Sequence, residues 1–264
     1  MNPVSLASGV VPEFGPVDTI RAAAAGGFDA VGLWIETADW TASLFRETRA
    51  ALADTGLPLL DVEVIWLKPD SSIDDHRRTI DIGAELGAAN VLCVSSDPDH
   101  GATADRLAEL CRHAEGSGMR VALEYGVFTE VKNLAAALAI LDRVAHPLRA
   151  LLLDPIHIDR SGGSFDALAA IDPALLPYAQ ICDAPAARPD PDDFDAVFID
   201  ACDLRAHCGE GGLPLDRFYR ALPAGLPLSV ELRSKALYEG FPEADARARA
   251  VAEKTRRWLK ARAS

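Results

Sequence analysis

Cysteine, aromatic residues and positive charge are all scarce in this 264-residue chain, and each scarcity excludes something. The five cysteines, Cys93, Cys111, Cys182, Cys202 and Cys208, are odd in number and scattered, with no CxxC pair. That pattern supplies no disulfide framework, and a reducing cytoplasm is the expected compartment. Lys and Arg total 26 against 40 Asp and Glu, a net charge of −14. Such a chain repels phosphate backbones and anionic lipid surfaces on average, so neither nucleic acid nor membrane is an expected partner. No uncharged apolar run approaches the roughly 20 residues that span a bilayer. No Lys or Arg precedes Arg21, so no secretory leader is expected. Neither GxGxxG nor GxxxxGK[ST] occurs, which removes the usual glycine-rich phosphate cradles.

What is present is an ordinary globular composition, 49% hydrophobic and 25% charged, with one repeated rhythm. Short Val/Ile/Leu-rich runs alternate with longer helical stretches. The expected strands are Val4–Ser8, Ala30–Ile35, Leu59–Trp66, Asn90–Ser95, Arg120–Tyr125, Ala150–Asp154, Tyr178–Cys182 and Leu228–Leu232. Most are continuous apolar runs, as in parallel strands buried on both faces. Helices are expected over Val17–Gly26, Thr41–Asp54, Asp74–Leu86, Ala104–Glu115, Glu130–Val144, Leu215–Ala221 and about Pro242–Arg262, with a short helix plus turns in Ser161–Leu176. Several stop at glycine: Gly26-Gly27, Gly56, Gly87 and Gly116. Eight strand–helix units predict an α/β fold, a single (β/α)8 TIM barrel, and no linker divides residues 1–264 into two domains. The Pro- and Asp-rich stretch Ala184–Asp195, continuing to Pro214, is expected to be a long functional loop.

Barrel active sites lie at the C-terminal ends of the strands. Strand five ends in Glu124, strand six in Asp154 with His157 three residues on, strand seven in Gln180, and strand eight in Glu231. One carboxylate at a strand end is commonly a helix cap or an ion-pair partner. Four oxygen-bearing side chains ending four neighbouring strands converge on one spot. Three carboxylates there repel one another unless a cation sits among them. An oxygen-rich set with one imidazole and no thiolate suits Mn2+ or Mg2+ better than Co2+ or Zn2+. Glu124 and Glu231 are also the candidate acid–base pair.

Glu124, Asp154-x-x-His157, Gln180 and Glu231 resemble the pattern of the xylose isomerase-like TIM barrels, in particular the sugar phosphate isomerase/epimerase branch with its keto-polyol dehydratase relatives. The likeness runs from about Val4 to Arg262. Arg205-Ala-His-Cys-Gly-Glu-Gly211 resembles that family's Arg-x-x-Pro-Gly-x-Gly loop, with Cys208 in the proline position. The resemblance implies a divalent metal on Glu124, Asp154, Gln180 and Glu231, two glutamates that double as acid–base groups, and substrate contact by His157 and Arg205. Gln180 departs from the histidine usual in the isomerases and is familiar in dehydratase-like members.

The chemistry open to such a site is proton transfer next to a carbonyl. The substrate is a small-molecule keto-polyol, and removal of its α-proton gives an enediolate that a cation stabilises. Reprotonation on the other face is epimerisation, reprotonation at the neighbouring carbon is isomerisation, and loss of a β-hydroxyl is dehydration. A metal-dependent isomerase or epimerase is the leading expectation, with a lyase dehydrating a cyclic keto-polyol, such as a dehydroshikimate or keto-inositol, as the alternative. A nuclease for abasic DNA shares this barrel type, but it needs more metal ligands and a basic surface. A barrel that binds without turnover is a further alternative. No phosphate clamp is visible, so an unphosphorylated substrate is expected. Many barrels dimerise, and a homodimer is possible.

Smaller signals remain. Glu63 lies inside strand three, in phase with Asp61 and Ile65, as a substrate contact or an interior ion-pair partner. Trp34, with Glu36 beyond it, ends strand two and offers an apolar face for a ring or for core packing. Asp183 is expected to orient Gln180 or a backbone turn. Arg247, Arg249, Lys254, Arg256, Arg257, Lys260 and Arg262 are expected to form a solvated helix face.

Overall fold

A computed structural model describes residues 2–262. Eight strands run parallel: β1 Val4–Leu6, β2 Ala30–Trp34, β3 Leu59–Leu67, β4 Asn90–Ser95, β5 Arg120–Glu124, β6 Arg149–Leu152, β7 Ala179–Ile181 and β8 Leu228–Val230. Their order is β6-β5-β4-β3-β2-β1-β8-β7, and all seven neighbouring pairs are parallel. The remaining seam, between β6 and β7, is bridged by the backbone N–H of Gln180 donating to the Leu153 carbonyl at 2.9 Å. The fold is therefore the expected single (β/α)8 barrel, closed almost completely. Met1, Ala263 and Ser264 of the expected 1–264 domain lie outside the described residues.

The helices are α1 Pro16–Gly26, α2 Ala42–Thr55, α3 Ile73–Leu86, α4 His100–His113, α5 Leu134–Arg143, α6 Pro155–Arg160, α7 Phe194–Asp203, α8 Leu215–Ala221, α9 Lys235–Gly240 and α10 Ala244–Lys260. Local chemistry starts and stops them. Thr41, Ser72, Asp99, Asn133, Asp154 and Ser234 each accept a backbone N–H at a helix start. Gly27, Gly56 and Gly87 end α1, α2 and α3 in the left-handed region.

Two expectations are corrected here. The segment after β7 is not one long loop, because its middle, Phe194–Asp203, forms α7. Arg160 donates from Nε and Nη2 to both oxygens of Asp200, at 2.8 and 3.0 Å, and so ties α7 to α6. The C-terminal basic stripe is not wholly solvated either. Arg247 is fully buried and pairs with Glu13, while its Nε donates to the Phe241 carbonyl at 2.9 Å. The Ser161–Leu176 stretch holds two short 3-10 turns, Phe165–Ala170 and Pro173–Leu175.

The core has two layers. A large shell of Val, Ile, Leu and Ala packs the outer face of the strands against the helices. A smaller cluster, including Ala30, Leu92, Val94, Ala122, Ala150, Leu152 and Tyr178, fills the barrel interior. Strand period then sets what lies above it. Glu124 continues the phase of Ala122, Asp154 that of Leu152, and Gln180 that of Tyr178. The interior stack is apolar in its middle and polar at its C-terminal mouth. Among the described residues, no helix is long and apolar enough to cross a membrane.

Candidate metal and active site

The mouth holds a cavity of about 210 Å³. Its walls include Glu63, Glu124, His157, Arg205, Glu231 and Trp34, so six of the eight residues expected from sequence face one space. Asp154 lies beneath them, fully buried, with the Arg205 Nη1 donating to its Oδ2 at 2.6 Å. Its Oδ1 accepts the Ile156 amide at 3.0 Å as the N-cap of α6, which fixes the carboxylate. Gln180 is buried at the same depth in β7.

Atoms of Glu124, Asp154 and His157 suited to metal ligation lie within 4.8 Å of one another. Glu124 Oε1, Gln180 Oε1 and His157 Nδ1 are buried and have no hydrogen-bond partner. A buried polar atom without a partner is costly, and those of Glu124 and His157 belong to the same close group. The donor set is three carboxylates, a neutral amide oxygen and an imidazole. It fits a hard divalent cation, so the residues present are compatible with the metal expected from sequence.

Burial dominates the electrostatics. It raises the Glu124 carboxyl well above the usual carboxylate range, and Glu231 and Asp154 push it further, against the opposing pull of Arg205. Glu63 rises to about 7, first by burial and then by Glu231, although its carboxylate accepts from Ser8 Oγ at 2.5 Å. Burial also works upward on Asp154, but the Arg205 guanidinium and the Ile156 backbone N–H outweigh it and hold the group low. His157, 2% exposed, falls to about 4 and is a neutral imidazole at physiological pH. Its ring stands edge-on to Phe128 at 5.2 Å.

Asp183 plays the backbone role. It accepts from the amides of Ala184, Gly209 and Leu213 at 2.9, 3.0 and 3.0 Å, which pins the loop running from Arg205. A Cβ at Gly211 would sit 2.4 Å from the Ala184 carbonyl and from Asp183 Oδ1, so this turn requires glycine. Trp34 stands at the rim, 47% exposed. Among the described residues, Cys202 and Cys208 join no metal-ligating group.

Sequence reasoning passed over two features. Arg233 follows Glu231 by two positions and therefore faces the same cavity, a period-two signal available in the sequence. Phe198 and Ala201 reach the cavity from α7, which the Pro/Asp composition had disguised as loop.

The Xylose isomerase-like TIM barrel family model matches residues 20–262. The chain belongs to this family. A curated relative, the 3-dehydroshikimate dehydratase of Pseudomonas putida, is 27% identical over 260 residues. That alignment takes in 92% of this chain and 39% of the relative. A solved fusion of a xylose isomerase-like TIM barrel with 4-hydroxyphenylpyruvate dioxygenase superposes with a TM-score of 0.80 at 22% identity, covering 99% of this chain and 44% of that one. This family member thus spans less than half the length of both. A solved IOLI protein with a bound zinc atom superposes with a TM-score of 0.79 at 18% identity, covering 98% of each chain.

Proposed function

We propose that this family member is a divalent-metal-dependent dehydratase of a cyclic keto-polyol, of the 3-dehydroshikimate kind. The observation that carries the reading is the ligand set itself. Gln180, buried in β7 with its Oε1 unpartnered among the described residues, stands where the family's isomerases commonly have histidine, on the strand between those that end in Asp154 and Glu231. The likeness to a named dehydratase supports the same choice.

Glu124, Asp154, Gln180 and Glu231 would hold the metal, Mn2+ or Mg2+ by donor chemistry. When bound, it withdraws charge from the substrate carbonyl and lowers the cost of an enolate. The protein does the rest. Glu124 lines the cavity, and its ionised carboxylate serves as the base that takes the α-proton. The same carboxyl then returns that proton to the β-hydroxyl as the C–O bond breaks, and water leaves. With 3-dehydroshikimate, tautomerisation of the remaining ring gives 3,4-dihydroxybenzoate. His157, neutral and buried beside Glu124, orients a substrate hydroxyl. Arg205 holds Asp154 at 2.6 Å and Glu231 at 3.3 Å, and so keeps the carboxylates in place.

An isomerase or epimerase is the second reading, favoured by one observation: Glu231 and Glu124 both line the cavity, so a second carboxylate is available to reprotonate. Turnover of 3-dehydroshikimate with Mn2+ separates the two. The dehydratase yields aromatic absorbance. Solvent deuterium uptake without that absorbance would replace it with the epimerase reading.

A further inference from the structure

The side chain of Arg233 differs from the other buried arginines of this barrel. Arg160, Arg205 and Arg247 each spend their donors on carboxylates and carbonyls. Arg233 lies two positions past Glu231 and is part-buried. Among the described residues its guanidinium has no hydrogen-bond or ion-pair partner, and its Nε is sealed from solvent. It lines the central cavity and also a side chamber of about 540 Å³ that opens beyond Trp34. Gly9 leaves room for its stem, since a Cβ there would lie 3.1 Å from Arg233 Cγ.

We propose that Arg233 is the seat of the substrate's carboxylate, an anion site where the central cavity meets the side chamber. The idea rests on the keto-polyol reading and adds which group of the ring is recognised. A part-buried guanidinium whose Nε is sealed and unpaired leaves a donor unmet, and a carboxylate satisfies it through two parallel N–H···O bonds. Arg205 is less suited, because its Nη1 is committed to Asp154 and to the Glu231 carbonyl at 3.0 Å. Glu231 and Glu63 act on Arg233 through space, but among the described residues no carboxylate lies within ion-pair distance of it, so a direct acceptor is still wanting. Glu36 and Asp39 line the side chamber and repel the dianion of a phosphate ester. With the carboxylate on Arg233, Trp34 offers its face to the ring, and the opposite edge of the ring is left to Glu124 and His157.

The probe is shikimate, which keeps the ring and the carboxylate but has no ketone to react, compared with its methyl ester by calorimetric titration in Mn2+. The wild type is expected to bind the acid about tenfold or more tighter than the ester. Arg233→Gln should bring the two within about twofold, and Arg233→Lys should keep part of the preference, because lysine supplies charge without the fork. Both variants are checked for an unchanged melting profile. The proposal is overturned if wild type shows no acid-over-ester preference, or if Arg233→Gln retains it. It is also overturned if inorganic phosphate displaces shikimate from the wild type far better than acetate does. Failure of the dehydratase reading shows separately, as absence of aromatic product from 3-dehydroshikimate while the Arg233-dependent preference persists.

Discussion

Arg205 and Arg247 are both buried, 4% and 0% exposed, and they sit in regions built on opposite rules. Around Arg247, donors meet acceptors: Glu13 accepts at 2.9 Å, the Val10 carbonyl at 3.1 Å and the Phe241 carbonyl at 2.9 Å, with the Tyr238 ring 4.7 Å beneath the guanidinium. This seam ties α10 to the segment after β1 and holds the last helix against the first turn of the barrel. Around Arg205, carboxylates crowd together, and Glu124, Gln180 and His157 keep atoms with no partner. A matched network stabilises the fold. An unmatched one of the same depth is a place kept ready for something else.

The largest effect that sharpens this contrast is on catalysis. Glu124→Gln should lower dehydration about 10²–10⁴-fold, as loss of a general base does. Unfolding free energy should hold or rise, because a crowded carboxylate has been removed; a destabilised variant with full turnover would show that Glu124 serves the fold and not the reaction. Arg247→Met should do the reverse. It leaves the Val10 and Phe241 carbonyls unpaired and should cost about 3 kcal/mol in denaturant unfolding, with kcat per folded molecule unchanged.

A pH series on metal-stripped protein probes the same imbalance. Glu63 binds its proton more tightly when folded, at about 7 against 4.5, chiefly through burial and the nearby Glu231. That contribution is whole below about 4.5 and is lost as pH rises toward about 7. Stability should therefore fall over that window, and Glu63→Gln should flatten the slope. The smallest effect belongs to the rim. Trp34→Ala should raise KM by about fivefold, roughly 1 kcal/mol of ring contact, with no change in melting.

Much of the barrel was legible in the sequence because parallel strands are buried on both faces and read as unbroken apolar runs. The strand-end residues were legible for a related reason. The C-terminal end of a barrel strand is where the interior phase leaves the apolar stack, so Glu124, Asp154 and Gln180 stand out against Ala122, Leu152 and Tyr178, and Glu231 follows the apolar Leu228–Val230 strand with only Ser229 in phase below it. What stayed hidden depends on long-range pairing. Nothing local distinguishes Arg247 from Arg249; the difference is Glu13, 234 positions away. α7 looks like loop because of the prolines and aspartates before it, and its place is fixed by the Arg160–Asp200 pair across 40 positions. The Ser8–Glu63 hydrogen bond spans 55 positions and joins β1's end to β3, which no strand pattern reveals.

We propose that Glu124, Asp154, Gln180 and Glu231 together hold a divalent cation at the barrel mouth. The direct test needs no substrate: thermal unfolding of chelator-stripped protein with and without Mn2+ or Mg2+, for wild type, Gln180→Leu and Glu231→Ala. A cation at 100 times its dissociation constant adds about 2.7 kcal/mol to the folded state, a rise on the order of 5–10 °C for a chain of this size. That rise is expected for the wild type, and its loss in both variants. No rise with any divalent cation, or an equal rise in Gln180→Leu and Glu231→Ala, would contradict it.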